Sequence, residues 1–410
     1  MTSSSGPKLI NSIILCLTIN VFVVNAAVVG AGVAGLTCAI FAAKGGAEVT
    51  VYERRYKIGF PVRSTGGIAK HYLERSGVGF REDFAYPLYR AIVASPSGYT
   101  YEFEMKGDVI GYVIDHGEFE KYLYEKALEH GVRVMTGMKV DERLIRQLIS
   151  TYDFVVGADG PYSTVRRFLG IPDENPLDMH KGYEVWVDGL TDTVFPVPPN
   201  SILIWFNNDI APRGYVWFFR YKDIIKVGLG VPVAHPEDPK TILERNSSRI
   251  FPNGMSPINR IGGVIPTPPP LESVVYGNVA LVGDAGNLIN SATGGGIHMA
   301  LFSGRACGES IAQGSLRGYS RWYDERGRPL LQRWYRVKQM IYSMDNGDFD
   351  SLVSTLSGFR IKSLEPHKEL VRLMVHVLVN NPTFLLQLIP TMIRMQYVKR
   401  RLEKQTGGRV

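Results

Sequence analysis

The residues best able to do chemistry fall in three short runs of glycine and acid. Gly30-Ala31-Gly32-Val33-Ala34-Gly35 has Glu53 downstream, and Gly157-Ala158-Asp159-Gly160 and Gly283-Asp284-Ala285-Gly286 follow much later. The first run suits a pyrophosphate: Gly30 permits a tight turn, Gly32 lets backbone approach the phosphates, and Gly35 allows close helix-to-strand packing. Unpaired amides at the helix start would then face the phosphates. Glu53, about 20 residues on, is the acid such sites use for a ribose hydroxyl pair. The competing reading is a glycine-rich turn that holds no ligand, and the flanking elements argue against it.

Those elements can be read directly. Apolar Ala26-Ala27-Val28-Val29 precedes the first run, a helix-forming stretch from Leu36 to Lys44 follows it, and a second strand from Glu48 to Tyr52 ends at Glu53. Asp159 ends a buried-strand pattern that begins at Tyr152. Asp284 ends another that begins at Asn278, before the turn Thr293-Gly294-Gly295-Gly296-Ile297 and a further helix. Each carboxylate thus stands at the carboxyl end of a strand, where open α/β sheets bind ligands. For Asp159 the alternative is a carboxylate that ties its own turn.

This spacing resembles the aromatic-hydroxylase-like branch of FAD enzymes. The resemblance implies an α/β fold, with a Rossmann-type FAD/NAD(P)-binding domain interleaved with an antiparallel substrate-binding sheet and followed by a helical C-terminal region. It implies FAD as cofactor, held by Gly30 to Gly35 (Ala31, Gly32, Val33 and Ala34 included), Glu53, Arg54, Arg63, Asp159, Gly283, Asp284, Gly295, Gly296 and Ile297. By the same resemblance Asp284 holds the ribityl chain and the helix from Gly296 aims its amides at the flavin. Arg63 has two readings, a phosphate contact or a solvated loop.

A narrower likeness lies further along. Tyr215-x-Trp217-x-Phe219, then Val227-Gly228-Leu229-Gly230, is similar to the Y-x-W-x-F-P…V-G-x-G signature of geranylgeranyl reductases. So are Lys57 to Arg63, the triple glycine Gly294-Gly295-Gly296, and Asp348-Phe349-Asp350-Ser351-Leu352, so that the resemblance spans roughly residues 23 to 360. It implies an oxidoreductase that saturates isoprenoid C=C bonds of membrane lipids or prenyl chains, as the archaeal digeranylgeranylglycerophospholipid reductases do. The implied partners are a prenyl-chain lipid substrate and an electron donor, either NAD(P)H, ferredoxin or a deazaflavin. The implied place is cytoplasmic, peripheral at the inner face of the membrane. Two departures stand out: Ser64 occupies the position where archaeal members carry cysteine, and Arg220 replaces the signature's proline.

An unactivated alkene has no carbonyl to polarise, so its reduction needs a hydride on one carbon and a proton on the other. Tyr215, Trp217 and Phe219 alternate along a strand and therefore share a face. They suit the wall of an apolar tunnel, or else ordinary sheet packing. Ser64, Tyr215 and His298 are the candidate proton donors, although serine is a far weaker acid than cysteine and His298 can also be read as a packed or capping residue. Two other functions share the cofactor runs: an FAD-dependent aromatic or quinone monooxygenase, and a non-catalytic prenyl-binding protein. A flavin halogenase is disfavoured because its W-x-W-x-I-P signature is missing.

Composition narrows the field further. At 410 residues the chain can bury a large core, and Cys16, Cys38 and Cys307 have neither disulfide-framework nor metal-site spacing. The formal charge is +7 with a pI of about 9.1, but no nucleic-acid-binding motif accompanies it. The expected organisation is an apolar extension over 1–22, dispensable or misassigned at the start codon. A discontinuous FAD-binding domain follows over 23–86, 106–175 and 271–312, a substrate sheet over 87–105 and 176–270, and a helical region over 313–410. The extension's length would also suit a signal peptide or a membrane span. The stretch from Phe384 to Lys404 reads either as an interfacial amphipathic helix or as one packed on the protein.

Overall fold

The computed structural model describes residues 23–105, 107–172 and 175–360. The apolar extension and the basic C-terminal stretch lie outside the described residues.

Valine-rich central strands, buried on both faces, form the middle of a six-stranded sheet. Its order is Val275–Tyr276, Val279–Leu281, Phe154–Gly157, Asn25–Val29, Glu48–Tyr52 and Arg133–Met135. All pairs are parallel except the first. The register explains why three distant runs meet: Val29 lies opposite both Tyr52 and Gly157, and Gly157 lies opposite Leu281. All three runs therefore leave the sheet at the same carboxyl edge. The helix Val33–Lys44 packs against Ile297–Ala312 so closely that a Cβ on Gly304 would lie 2.5 Å from the Ala34 carbonyl oxygen, and one on Gly308 2.4 Å from that of Cys38. This glycine-mediated contact ties the helices that follow the first and third runs into one unit.

The second sheet has seven strands in the order Asn259–Pro266, Met179–Asp188, Ile224–Pro232, Tyr215–Tyr221, Ser201–Trp205, Arg90–Ala94 and Thr100–Glu104. Only Ser201–Trp205 and Arg90–Ala94 pair in parallel. The hairpin read around Ser95 to Gly98 thus joins a sheet whose other strands come from a later part of the chain. Its turn is clamped by Asp350, whose carboxylate accepts from the Ser95 hydroxyl at 2.6 Å and from the Ser97 amide at 2.9 Å.

The domain boundary at 86/87 needs correction, because it cuts the strand Ala85–Leu88. That strand belongs to a small third sheet with Gly67–Ala69 and Gly111–Ile114. Strands this short carry too few alternations to be seen in sequence. Beyond the last sheet strand the chain is helical through Arg317–Trp322, Arg328–Ser343 and Asn346–Leu356. Among the described residues no helix is long and apolar enough to cross a membrane.

A buried polar network fastens Arg328–Ser343 to the seven-stranded sheet. The Lys338 ammonium donates to Asp178 Oδ1 at 2.5 Å and to the Thr267 carbonyl at 2.7 Å. His180 lies 3.0 Å from Thr267 Oγ1 and 2.8 Å from the Tyr342 hydroxyl. Burial, with the Lys338 charge adding to it, pushes His180 down to about 4, and burial with the charge of His71 does the same to His298. Both imidazoles are neutral in the fold and gain a proton on unfolding. Their contribution is therefore complete above about pH 6.5 and lost as pH falls toward 4, roughly 3 kcal/mol each at most. Asp159 and Asp284, which burial pushes up, oppose the trend. The expected outcome is a net decline in denaturant midpoint from about pH 7 to pH 4.5, made shallower by His180→Gln. A flat profile in both proteins would contradict this assignment.

Candidate cofactor and substrate site

One cavity of about 600 Å³ runs from the carboxyl edge of the six-stranded sheet to the aromatic face of the seven-stranded one, a size that suits a bound organic ligand. At the first end Gly30 has φ +108°, and a Cβ there would lie 2.3 Å from the Ala158 carbonyl oxygen, so the turn admits only glycine. Gly32 differs: the nearest atom to its missing Cβ is 3.7 Å away. The space over Gly32 is open. Here Val33–Lys44 begins without a side-chain cap, and Ile297–Ala312 begins the same way at Gly296. Two uncapped helix starts therefore border one cavity, each with free amides and the positive end of its dipole.

Glu53 closes this end. Its Oε2 accepts the Ala31 amide at 2.7 Å, and its Oε1 accepts the Arg55 amide at 2.7 Å and Arg55 Nε–H at 3.1 Å. The Arg55 guanidinium also donates to Glu120 Oε2 at 2.8 Å and to the Ala31 carbonyl at 3.2 Å. Burial pushes the Glu53 carboxyl up, but the hydrogen bonds and charge of Arg55 outweigh it and hold the group below its usual value. Arg54 lines the exposed rim instead, as Arg63 does. Arg55 lies in a bend beyond the strand end at Tyr52, where no sequence periodicity marks it, and its role comes from pairing with Glu53 and Glu120.

Asp159 lines the cavity while its carboxylate ties its own turn, accepting from the Ser163 hydroxyl at 2.5 Å and the Thr164 amide at 2.6 Å. Asp284 also lines the cavity. Burial, partly offset by Arg166, pushes it up to about 6. Arg166 is buried and joins the second run to the third, donating to Asn287 Oδ1 at 2.6 Å and to the Pro161 carbonyl at 2.8 Å. Nothing in its sequence position announced that role. Gly283 stands behind the wall, its amide donating to Ser303 Oγ at 3.0 Å.

At the far end Tyr215, Trp217 and Phe219 all line the cavity. They lie opposite Gly230, Gly228 and Lys226 on the next strand, which gives the paired aromatic and glycine patterns a physical reason. A Cβ on Gly228 would sit 2.5 Å from the Trp217 ring, so the glycine is the slot in which the indole lies. Ser64 and Thr65 line the facing segment, and Gly295, Gly296 and Ile297 the junction between the two ends. Arg220, the replacement for proline, donates to the Gly189 carbonyl near the strand end.

Two proton-donor candidates change standing. The Tyr215 hydroxyl donates to the Thr293 carbonyl, and burial pushes it up to about 12. His298 is corrected: it does not line the cavity. Its ring stacks on Tyr72 at 4.6 Å and meets Trp334 edge-on at 5.2 Å. Along Ile297–Ala312 the residues at the cavity are Ile297 and Ala300, three apart on one face, whereas position 298 is turned about 100° away.

Residues 190–265 match the family model of the geranylgeranyl reductase catalytic domain, and residues 28–76 that of an NAD(P)-binding Rossmann-like domain. Digeranylgeranylglycerophospholipid reductase 1 of Methanococcoides burtonii is 31% identical over 82% of this chain and 88% of its own length. The digeranylgeranylglycerophospholipid reductase of Methanoculleus marisnigri is 27% identical over 88% of this chain and 96% of its own. The crystal structure of a geranylgeranyl bacteriochlorophyll reductase-like protein from Thermoplasma acidophilum superposes with a TM-score of 0.76 at 22% identity, covering 90% of this chain and 98% of that one. The 31% identity to the Methanococcoides burtonii reductase over 82% of this chain, with the matching catalytic-domain model, identifies the chain as a member of the geranylgeranyl reductase family.

Proposed function

We propose that this protein is an FAD-dependent reductase of isoprenoid C=C bonds, acting on the prenyl chains of a membrane lipid. The observation that carries the reading is the continuity of one cavity, bordered by Gly32, Glu53 and Asp284 at one end and by Tyr215, Trp217 and Phe219 at the other. Bound FAD would supply the hydride. The open backbone at Gly32 and the uncapped helix starts suit its diphosphate, Glu53 its ribose, and Asp284 its ribityl hydroxyls. The aromatic wall binds the apolar chain and excludes water. With Tyr215 held by Thr293 and His298 outside, Ser64 is the remaining candidate to pass a proton inward from solvent.

Electrons come from an external reductant, NAD(P)H, ferredoxin or a deazaflavin. Exposed Tyr162 lines the cavity rim with Arg54 and Arg63, and Tyr56 and Phe60 are exposed on the same segment of chain as the two arginines. This mixture of aromatic and basic groups supports peripheral contact with the cytoplasmic face of a membrane. The deciding experiment is anaerobic mixing of the reduced holoenzyme with a geranylgeranyl lipid. Reoxidation of the flavin without oxygen, with a saturated product, is expected. Reoxidation only with oxygen and an aromatic substrate would make the protein a monooxygenase, and retention of no flavin at all would make it a prenyl-binding protein.

A further inference from the structure

Glu184 is a buried acid for which the cofactor end has no use. It is 1% exposed, lines the cavity, and lies in the strand Met179–Asp188 directly opposite Gly228. Gly228 in turn lies opposite Trp217. With no side chain on the strand between them, the Trp217 indole reaches across and donates Nε1–H to Glu184 Oε2 at 2.7 Å. The same carboxylate accepts the Trp186 indole on Oε1 at 2.7 Å and the Thr65 hydroxyl on Oε2 at 2.5 Å. Buried Lys226 donates to the Thr65 carbonyl at 2.9 Å, and its ammonium lies 4.8 Å from the Trp186 ring centre. Thr65 is therefore held at both its side chain and its backbone.

One carboxylate thus joins two parts that face each other across the reacting space: the aromatic wall and the segment carrying Ser64. Those parts also touch, since a Cβ on Gly67 would meet the Phe219 ring at 2.5 Å. An indole has a single N–H and no acceptor, so each tryptophan commits its one side-chain hydrogen bond to Glu184. Loss of the carboxylate would free the wall and the segment together.

We propose that Glu184 is a positioning residue of the reductase, setting the Ser64–Gly67 segment through Thr65 and the opposite wall through Trp217, so that the bound alkene is held in one pose. The proposal rests on the isoprenoid-reductase reading above. It assigns Glu184 no proton transfer and no contact with the cofactor.

The test compares FAD-loaded wild type with Glu184→Gln, Thr65→Val, Thr65→Ser and the double variant Glu184→Gln/Thr65→Val, all expressed per bound flavin. Glu184→Gln is expected to lose about 10²-fold in kcat, the scale of a small misplacement of reacting groups, with lipid KM little changed. Thr65→Val should lose about tenfold, Thr65→Ser should restore the rate, and the double variant should be no slower than Glu184→Gln alone, because the residues act as one unit. Tryptophan emission, which needs no turnover, should shift in Glu184→Gln at unchanged flavin content. If Glu184→Gln does not fold, Trp217→Phe, which keeps a ring and removes the donor, takes its place with the same expected loss of kcat. A kcat within twofold of wild type, or losses that multiply in the double variant, overturns the proposal. Absence of lipid-driven reoxidation in wild type overturns the functional reading and this inference with it, whereas wild-type turnover with an unaffected Glu184→Gln overturns this inference alone.

Discussion

Glu53→Ala should cost about 3 kcal/mol of folding stability in the cofactor-free protein and abolish flavin retention. The carboxylate satisfies four donors at once: the Ala31 amide, the Arg55 amide, Arg55 Nε–H and Arg55 Nη2–H. Leaving buried donors unpaired costs about 1–3 kcal/mol each, and water entering the vacated space offsets part of that sum. Arg55 would keep Glu120 but lose the charge that holds it over the Ala31 carbonyl. Measuring the cofactor-free form is essential, since a bound ligand adds its own linkage term to stability. Urea titration and the flavin-to-protein ratio are the two readings. A stability change under about 1 kcal/mol would mean the network is loosely held, and full flavin retention would remove Glu53 from the cofactor site.

Gly35→Ala and Gly32→Ala, three residues apart in one glycine run, should fail in opposite ways. A Cβ on Gly35 would lie 2.0 Å from the Gly30 carbonyl oxygen, a backbone atom that cannot swing aside. Val33–Lys44 would have to tilt, and through Gly304 and Gly308 it would take Ile297–Ala312 with it. Both helix starts would move. Destabilisation above about 4 kcal/mol is expected, in the range reserved for core overpacking and strain. A Cβ on Gly32 meets nothing closer than 3.7 Å, so that variant should fold with nearly the parent's melting temperature. Its methyl group enters the space needed by the pyrophosphate, and flavin affinity should fall about 100-fold, a penalty near 3 kcal/mol. Thermal melts of the two cofactor-free proteins with flavin titrations separate these outcomes. Equal melting temperatures for the pair would contradict the packing described above.

Much of this architecture is legible in the chain itself, for a physical reason. Parallel strands buried on both faces must be continuous apolar runs, and Ala26 to Val29 and Phe154 to Gly157 are easy to see. The alternation of Tyr215, Trp217 and Phe219 likewise fixes their common face. The strand Asn259–Pro266 is not legible in the sequence because Gly262 and Gly263 give it little β-propensity, while pairing with Met179–Asp188 supplies what the sequence does not. Arg166, Glu184 and Lys226 are not legible in the sequence because each acts through a partner far away in the chain, and spacing encodes only neighbours. His298 was a different failure. Its helix was anticipated, and counting its turn from Gly296 would have shown that position 298 looks away from the cavity.

The parallel pairing of Arg90–Ala94 with Ser201–Trp205 has a consequence for synthesis. The hairpin ends at residue 104, and its partner strand begins at residue 201, 97 residues later. At about 5–20 residues per second, the hairpin waits on the ribosome for roughly 5–20 s with an unpaired edge. Among the described residues the hairpin pairs with no other strand of the seven-stranded sheet. Arg90, Glu102 and Glu104 place charge on this pair, with Arg90 Nε 3.3 Å from Glu102 Oε2 and Arg90 Nη2 3.3 Å from Glu104 Oε2. Charged side chains are the ordinary guard against edge-to-edge association, and this hairpin carries them while its missing neighbour is still being made.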